Sequence, residues 1–294
     1  MNFEDFKLHK FRSMKMSTPH DRPTHMLENS YIGTHVRDYL LQTSDSYIVE
    51  VKNTMGWTPE TSDFAGTDAV INVAGIAHIK ETKENRNLFY EVNRDLAVNI
   101  ARKAKEAGVR QYILLSTMSV YGKTEGHITK ETPPAPTSAY ARSKAEADEI
   151  IKELGDDSFL FACLRPPMVY GRGCRGNYQK LRKLCLKLPL FPKLDNARSM
   201  IYIGNLCEFV RDCIDNEKHG LFFPQNEEYV NTTRMAQLIA SEHGKKIRLT
   251  RAFNPAIRHL PIGAAKKAFG TLTYEKTDTV GKYGFEESIK LTEE

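Results

Sequence analysis

From Ser30 onward, short β-rich runs alternate with amphipathic stretches, and this restricts the chain more than any other feature. It is the pattern of an α/β fold, in which a parallel sheet is built from strands joined by helical crossovers. Ser30 is placed to cap a helix whose inner face carries Ile32, Val36, Tyr39 and Leu40. A strand over Ala69–Val73 follows, then a helix over Asn93–Ala107 that presents Leu96, Ile100 and Ala104 and stops at Gly108, a suitable left-handed cap. A strand is expected over Gln111–Leu115. The next helix, Ser138–Leu154, starts after a loop containing Pro133, Pro134 and Pro136 and ends before Gly155. Strand Phe159–Leu164 then runs into Arg165-Pro166-Pro167. Beyond it, apolar residues three or four apart predict helices over Tyr178–Leu188, Asn205–Asn216 and Thr232–His243, the makings of a smaller, mostly helical second lobe.

Composition narrows the class. The chain has 294 residues, 40% hydrophobic and 27% charged, close to soluble globular averages, so it is neither disordered nor fibrous. Its longest apolar runs, such as Phe159–Leu164, fall far short of the ~20 residues of a membrane span. The opening MNFEDFKLHKFRSMKM has an early acidic pair and no apolar stretch, unlike a secretory signal, and a cytoplasmic location is expected. The net charge of +5 is spread along the chain, which argues against a nucleic-acid partner. Five cysteines (Cys163, Cys174, Cys185, Cys207 and Cys213) form no CxxC and no zinc-binding spacing, so reduced structural thiols and no metal are expected.

Three features fall where the cleft of such a fold should lie, at the carboxyl ends of the strands. Tyr140 and Lys144 are four residues apart, on one helix face, and an adjacent cation favours the ionised form of a phenol. Ser116-Thr117 follows strand Gln111–Leu115, where a hydroxyl can meet a substrate oxygen. Asn72-Val73-Ala74-Gly75 closes the preceding strand with small residues that allow a flat cofactor near the backbone.

With NSYIGTH, NVAGIAH, YEVNRDLA, STMSVYG, YARSK and LRPPMVYGRG in this order, the chain from Asn29 onward resembles the extended short-chain dehydrogenase/reductases, specifically the NAD-dependent epimerase/dehydratases. The resemblance implies a Rossmann-type sheet with helices on both faces, holding NAD, and a C-terminal lobe for a nucleotide-sugar. It implies Tyr140 as acid/base, Lys144 as its pKa-lowering and ribose-binding partner, and Thr117 as the hydroxyl that positions the sugar oxygen. Ile32, Gly33, Ala74, Gly75, Asn93, Ser116 and Pro167 would join Tyr140 and Lys144 around the cofactor. Asn177 and Arg198 would meet the nucleotide diphosphate, a role suited to the planar fork of an arginine. Dehydratases of this family usually follow the threonine with an Asp-Glu pair; here Met118 and Ser119 stand there, which disfavours dehydration. What remains resembles a UDP-glucose 4-epimerase acting by transient oxidation of the sugar, with a reductase as the nearest chemical alternative. Relatives commonly dimerise through two helices of each subunit, so a homodimer is expected.

The start departs from the family. Aligned on NSYIG, Leu27 takes the place of the first glycine, Ser30 of the second and Gly33 of the third. The first strand would be Pro23-Thr24-His25-Met26, poor material for a central strand, so it is expected to be atypical or missing. Phe6–Asn29, with KFRSM and TPHDRPTHMLEN, instead resembles a fragment of bacterial sugar transferases, which attach a phosphosugar to a polyprenyl-phosphate carrier. The catalytic Asp-Glu pair and membrane segment of those enzymes are absent, and no transferase activity is implied. The expected division is residues 1–28 as a poorly ordered or non-native fragment fused near Asn29, 29–170 as the NAD-binding domain and 171–294 as the substrate lobe. Weakened NAD binding and lowered stability are expected. An inactive fusion remnant, or a non-enzymatic protein of polysaccharide assembly that docks through its first residues, stays open beside the epimerase.

Overall fold

In the computed structural model, residues 4–10, 30–44, 46–77, 79–252 and 269–294 are described. They fall into two compact units, each built from separate stretches of the chain: Met1–Ser116, Arg142–Leu164 and Val210–Gly220 form one, and Thr117–Ala141, Arg165–Phe209 and Leu221–Glu294 the other.

The first unit is organised by a sheet containing β1 (Glu4–Lys10), β2 (Tyr47–Asn53), β3 (Ala69–Asn72), β4 (Gln111–Leu115), β6 (Leu160–Leu164) and the first residue of β10 (Gly220–Phe222), in the spatial order β10-β6-β4-β3-β1-β2. Every residue of β3 and β4 is buried, as in strands covered on both faces. Parallel pairing sets Val70 opposite Tyr112 and Ile113 opposite Ala162. β2, not among the expected strands, alternates buried Tyr47 with exposed Ile48 and half-buried Val49 with exposed Glu50, the signature of a strand with one covered face.

The place between β2 and β3 is filled, and the strand that fills it runs the other way. β1 is antiparallel to both neighbours, with Lys10 opposite Tyr47, Glu4 opposite Asn53, Asp5 opposite Asn72 and Leu8 opposite Ala69. Phe6 and Leu8 alternate with Lys7 and His9, an ordinary strand pattern. The first strand is thus atypical rather than missing. The alternative Pro23–Met26 lies outside the described residues, as does most of the transferase-like stretch.

Helix α1 (Tyr31–Thr43) starts as expected: Ser30 is extended (φ −89°, ψ 101°) and its Oγ accepts the Gly33 N–H at 3.2 Å. Gly33, Val36 and Leu40 are its buried residues. The helix expected from Asn93 comes as three segments: α2 (Arg86–Tyr90), a π-helical stretch Glu91–Leu96, and α3 (Ala97–Glu106). The wider π turns often occur at functional sites, and this one carries Asn93. Gly108 ends the run in the left-handed region, φ 80°. Helix α4 (Ala139–Lys152) opens with Ser138 Oγ accepting the Ala141 N–H at 3.2 Å.

The second unit combines α5 (Asn177–Lys187), most of α6 (Ile203–Asp215), α7 (Thr232–Glu242) and α8 (Phe285–Glu293) with four small parallel pairs. These join β5 (Gly126–Ile128) to β13 (Leu272–Tyr274), β7 (Met168–Tyr170) to β9 (Met200–Tyr202), β8 (Leu190–Pro192) to β12 (Arg248–Thr250), and β11 (Gln225–Asn226) to β14 (Thr279–Val280). Glu293 ties three of its helical segments together. Its carboxylate accepts Tyr178 OH at 2.6 Å and Arg182 Nε at 2.6 Å, and His243 Nε2 lies 2.6 Å from it. All five cysteines are free and buried. Among the described residues no helix is long and apolar enough to cross a membrane.

Candidate active site

The first unit gathers polar groups at the carboxyl ends of β3 and β4. Asn72, the last residue of β3, donates through Nδ2 to Tyr112 OH at 2.7 Å and accepts the Ala74 N–H at 2.9 Å, turning the chain sharply out of the strand. Two residues on, Ile76 has both its main-chain groups bonded by Asn93. Asn93 Oδ1 accepts the Ile76 N–H at 2.7 Å, and Nδ2 donates to the Ile76 carbonyl at 3.2 Å and to Ser143 Oγ on α4 at 3.1 Å. Asn93 and Ser143 are fully buried, so each of these bonds replaces one that water can no longer supply.

Lys144 is buried too. Its ammonium donates to the carbonyls of Ala74 at 3.1 Å and Leu115 at 3.0 Å, bridging the loop after β3 to the end of β4. Ser116, the next residue, donates its hydroxyl to Asp148 at 2.7 Å, one turn beyond Lys144 on α4, and its N–H to the Leu164 carbonyl at 2.7 Å. Gly75 passes between these groups. A Cβ there would stand 3.1 Å from both Asn93 Oδ1 and Lys144 Nζ, so the position has room for little besides bare backbone. This bare turn beside a buried ammonium suits the hydroxyls of a dinucleotide ribose, and the residues present fit that end of the cofactor.

In the second unit, Thr117 Oγ1 accepts the Ser119 N–H at 3.1 Å and caps the tight turn Met118–Tyr121. That turn is fixed from behind: Met118 N–H donates to the Pro166 carbonyl at 3.0 Å, and the Arg165 guanidinium donates to Tyr121 OH at 2.8 Å. Gly122 closes it at φ 61°, where a Cβ would lie 2.1 Å from the Ala135 carbonyl oxygen, so only glycine fits. Tyr140 is half-buried in the first turn of α4, one turn before Lys144. Pro167 is buried ahead of β7, and Asn177 is exposed as the first residue of α5. Arg198 is bonded to Val230 through its main chain and donates to the Gly270 carbonyl at 2.7 Å. Burial pushes its guanidinium pKa down.

The first unit thus brings Ala74, Gly75, Asn93, Ser116 and Lys144 together, while Gly33 and Ile32 sit at the start of α1. Sequence reasoning passed over Ser143, Asp148 and Arg165, although the first two share the Tyr140–Lys144 helix and Arg165 directly follows a strand.

Residues 29–221 match the model of the NAD dependent epimerase/dehydratase family. The chain belongs to this family. A UDP-glucose 4-epimerase of Vibrio cholerae is 30% identical over 227 residues, covering 73% of this chain and 69% of that one. The N-acetyl-alpha-D-glucosaminyl-diphospho-ditrans,octacis-undecaprenol 4-epimerase of Escherichia coli O157:H7 is 26% identical over 204 residues, covering 67% and 61%. In fold, this family member is similar to a dTDP-4-dehydrorhamnose reductase from Clostridium acetobutylicum, with TM-score 0.70, 19% identity and coverage of 90% and 95%. It is also similar to UDP-N-acetylglucosamine 4-epimerase from Bacillus cereus, with TM-score 0.67, 16% identity and coverage of 89% and 94%. It is an NAD-dependent enzyme of the epimerase group with a Rossmann-like parallel sheet.

Proposed function

We propose that the enzyme interconverts UDP-hexoses at C4, in the synthesis of a surface polysaccharide. The observation that carries this reading is the helix α4: Tyr140 stands in its first turn, and Lys144, one turn on, has its ammonium fixed by two main-chain carbonyls at the ends of adjacent strands. A cation one helical turn from a phenol favours the phenolate, which can then take the proton of the sugar hydroxyl and later return it. NAD, when bound, supplies the hydride acceptor and donor of the family. Thr117 presents a hydroxyl whose oxygen is oriented by the Ser119 N–H, leaving its own proton for a sugar oxygen. Arg198 supplies a guanidinium for the diphosphate, and Asn177 an amide. Ala74, Gly75, Asn93, Ser116 and Lys144 would line the nicotinamide end of the cofactor, to which Ile32, Gly33 and Pro167 are also assigned.

The residues after Thr117 favour epimerisation over loss of water. Met118 and Ser119 offer no carboxylate pair, and their main-chain amides are committed to Pro166 and Thr117. Supplied with either UDP-glucose or UDP-galactose, the purified enzyme is expected to reach the same mixture of the two with no net change in NADH. Stoichiometric oxidation of NADH without interconversion would make it a reductase, and no turnover of either sugar would overturn the assignment.

A further inference from the structure

In a dinucleotide-binding unit the first strand ends at the edge of the sheet where the next helix begins, so that a short turn places the pyrophosphate on the helix's first amides. Here α1 leads into β2 through residues 44–46 only, so α1 begins at the edge where β2 ends, at Asn53. β1 ends at the opposite edge, because Lys10 is opposite Tyr47, the first residue of β2. At about 3.4 Å per residue, the seven residues of β1 set its end about 20 Å from the edge where Ser30 starts the helix.

β1 therefore does not end at the edge where α1 starts. One more observation bears on the same end of the cofactor. The Gly33 amide, among the first-turn donors a phosphate would use, is taken by Ser30 Oγ. By contrast, Gly75 lies in the loop after β3, Asn93 on the π-helical stretch and Lys144 on α4, and the parallel pairing of β3, β4 and β6 does not depend on the direction of β1.

We propose that the chain grips NAD by its nicotinamide mononucleotide half, and that the adenosine half adds little affinity because β1 closes the sheet in reverse. The inference rests on assigning Gly75, Asn93 and Lys144 to the cofactor, and its test needs no turnover. Isothermal titration of the full chain with NAD, nicotinamide mononucleotide and ADP-ribose, without sugar, is expected to give the first two affinities within about threefold. ADP-ribose should bind at least about tenfold more weakly, a gap of about 1.4 kcal/mol. Lys144→Ala should weaken NAD and the mononucleotide by one common factor. ADP-ribose binding as tightly as NAD, a mononucleotide that fails to bind while NAD does, or a Lys144→Ala loss confined to ADP-ribose would each overturn it. Epimerisation together with tight ADP-ribose binding would remove this inference alone, whereas half-selective binding without epimerisation would remove only the proposed reaction.

Discussion

One side chain bonds both main-chain groups of another residue: Asn93 accepts the Ile76 N–H at 2.7 Å and donates to the Ile76 carbonyl at 3.2 Å. The loop that leaves β3 is thereby locked to the π-helical stretch, with Gly75 held against Lys144. Asn93→Leu keeps the volume and removes both bonds, together with the one to Ser143. Buried groups left unpaired cost about 1–3 kcal/mol each, so a loss of about 2–4 kcal/mol is expected, read as a lower urea midpoint at unchanged slope.

Gly75→Ala should act on binding more than on folding. Its Cβ would meet the Asn93 oxygen and the Lys144 ammonium at 3.1 Å, a tight contact that pushes the two groups apart. Overpacking of this kind costs about 1–3 kcal/mol, so NAD affinity should fall about tenfold or more in a direct titration while the thermal midpoint moves by a few degrees.

Much of this region was legible in the sequence, and what was not had physical causes. Ser30 is a cap and Gly108 a left-handed terminator because residue type alone determines those roles. The 3.6-residue period could not reveal the π-helical turns at Glu91–Leu96, since a six-residue stretch is too short to set a period of its own. Nor could it show β1: Glu4–Lys10 alternates like many short strands, and only the vacant place between Tyr47–Asn53 and Ala69–Asn72 makes it a central one. The motifs around Tyr140 and Lys144 stood out by spacing, yet Ser143, Asp148 and Arg165, which bond Asn93, Ser116 and Tyr121, are of types common on any helix or strand end.

Glu293 makes stability depend on pH. Burial alone would raise its pKa, but Tyr178, His243 and Arg182 together hold the carboxyl below the ordinary glutamate value of 4.5. A depressed folded-state value means that the stabilisation is complete above that ordinary range and is lost as pH falls through the lowered one. The carboxylate is 2% exposed, whereas Arg182 and His243 keep 32% and 31% of their surface in water. Glu293→Gln should therefore cost only about 1–3 kcal/mol near neutrality, with the difference from wild type shrinking in acid, as followed by urea unfolding across the pH range.

If Arg198 serves the diphosphate as proposed, Arg198→Ala should raise the KM for the UDP-hexose with a smaller change in kcat. Arg198→Lys should recover only part of the loss, since an ammonium cannot bind two phosphate oxygens in one plane. Steady-state kinetics on all three forms would show it.

The central claim is that the Tyr140 phenol, activated by Lys144, moves the proton of the sugar hydroxyl. The most direct measurement is the rate of UDP-glucose to UDP-galactose conversion by Tyr140→Phe, in protein whose fold and NAD affinity match wild type. The account predicts a fall of about 10²–10⁴-fold, the usual contribution of a general acid–base group. Conversion within a few fold of wild type would contradict it.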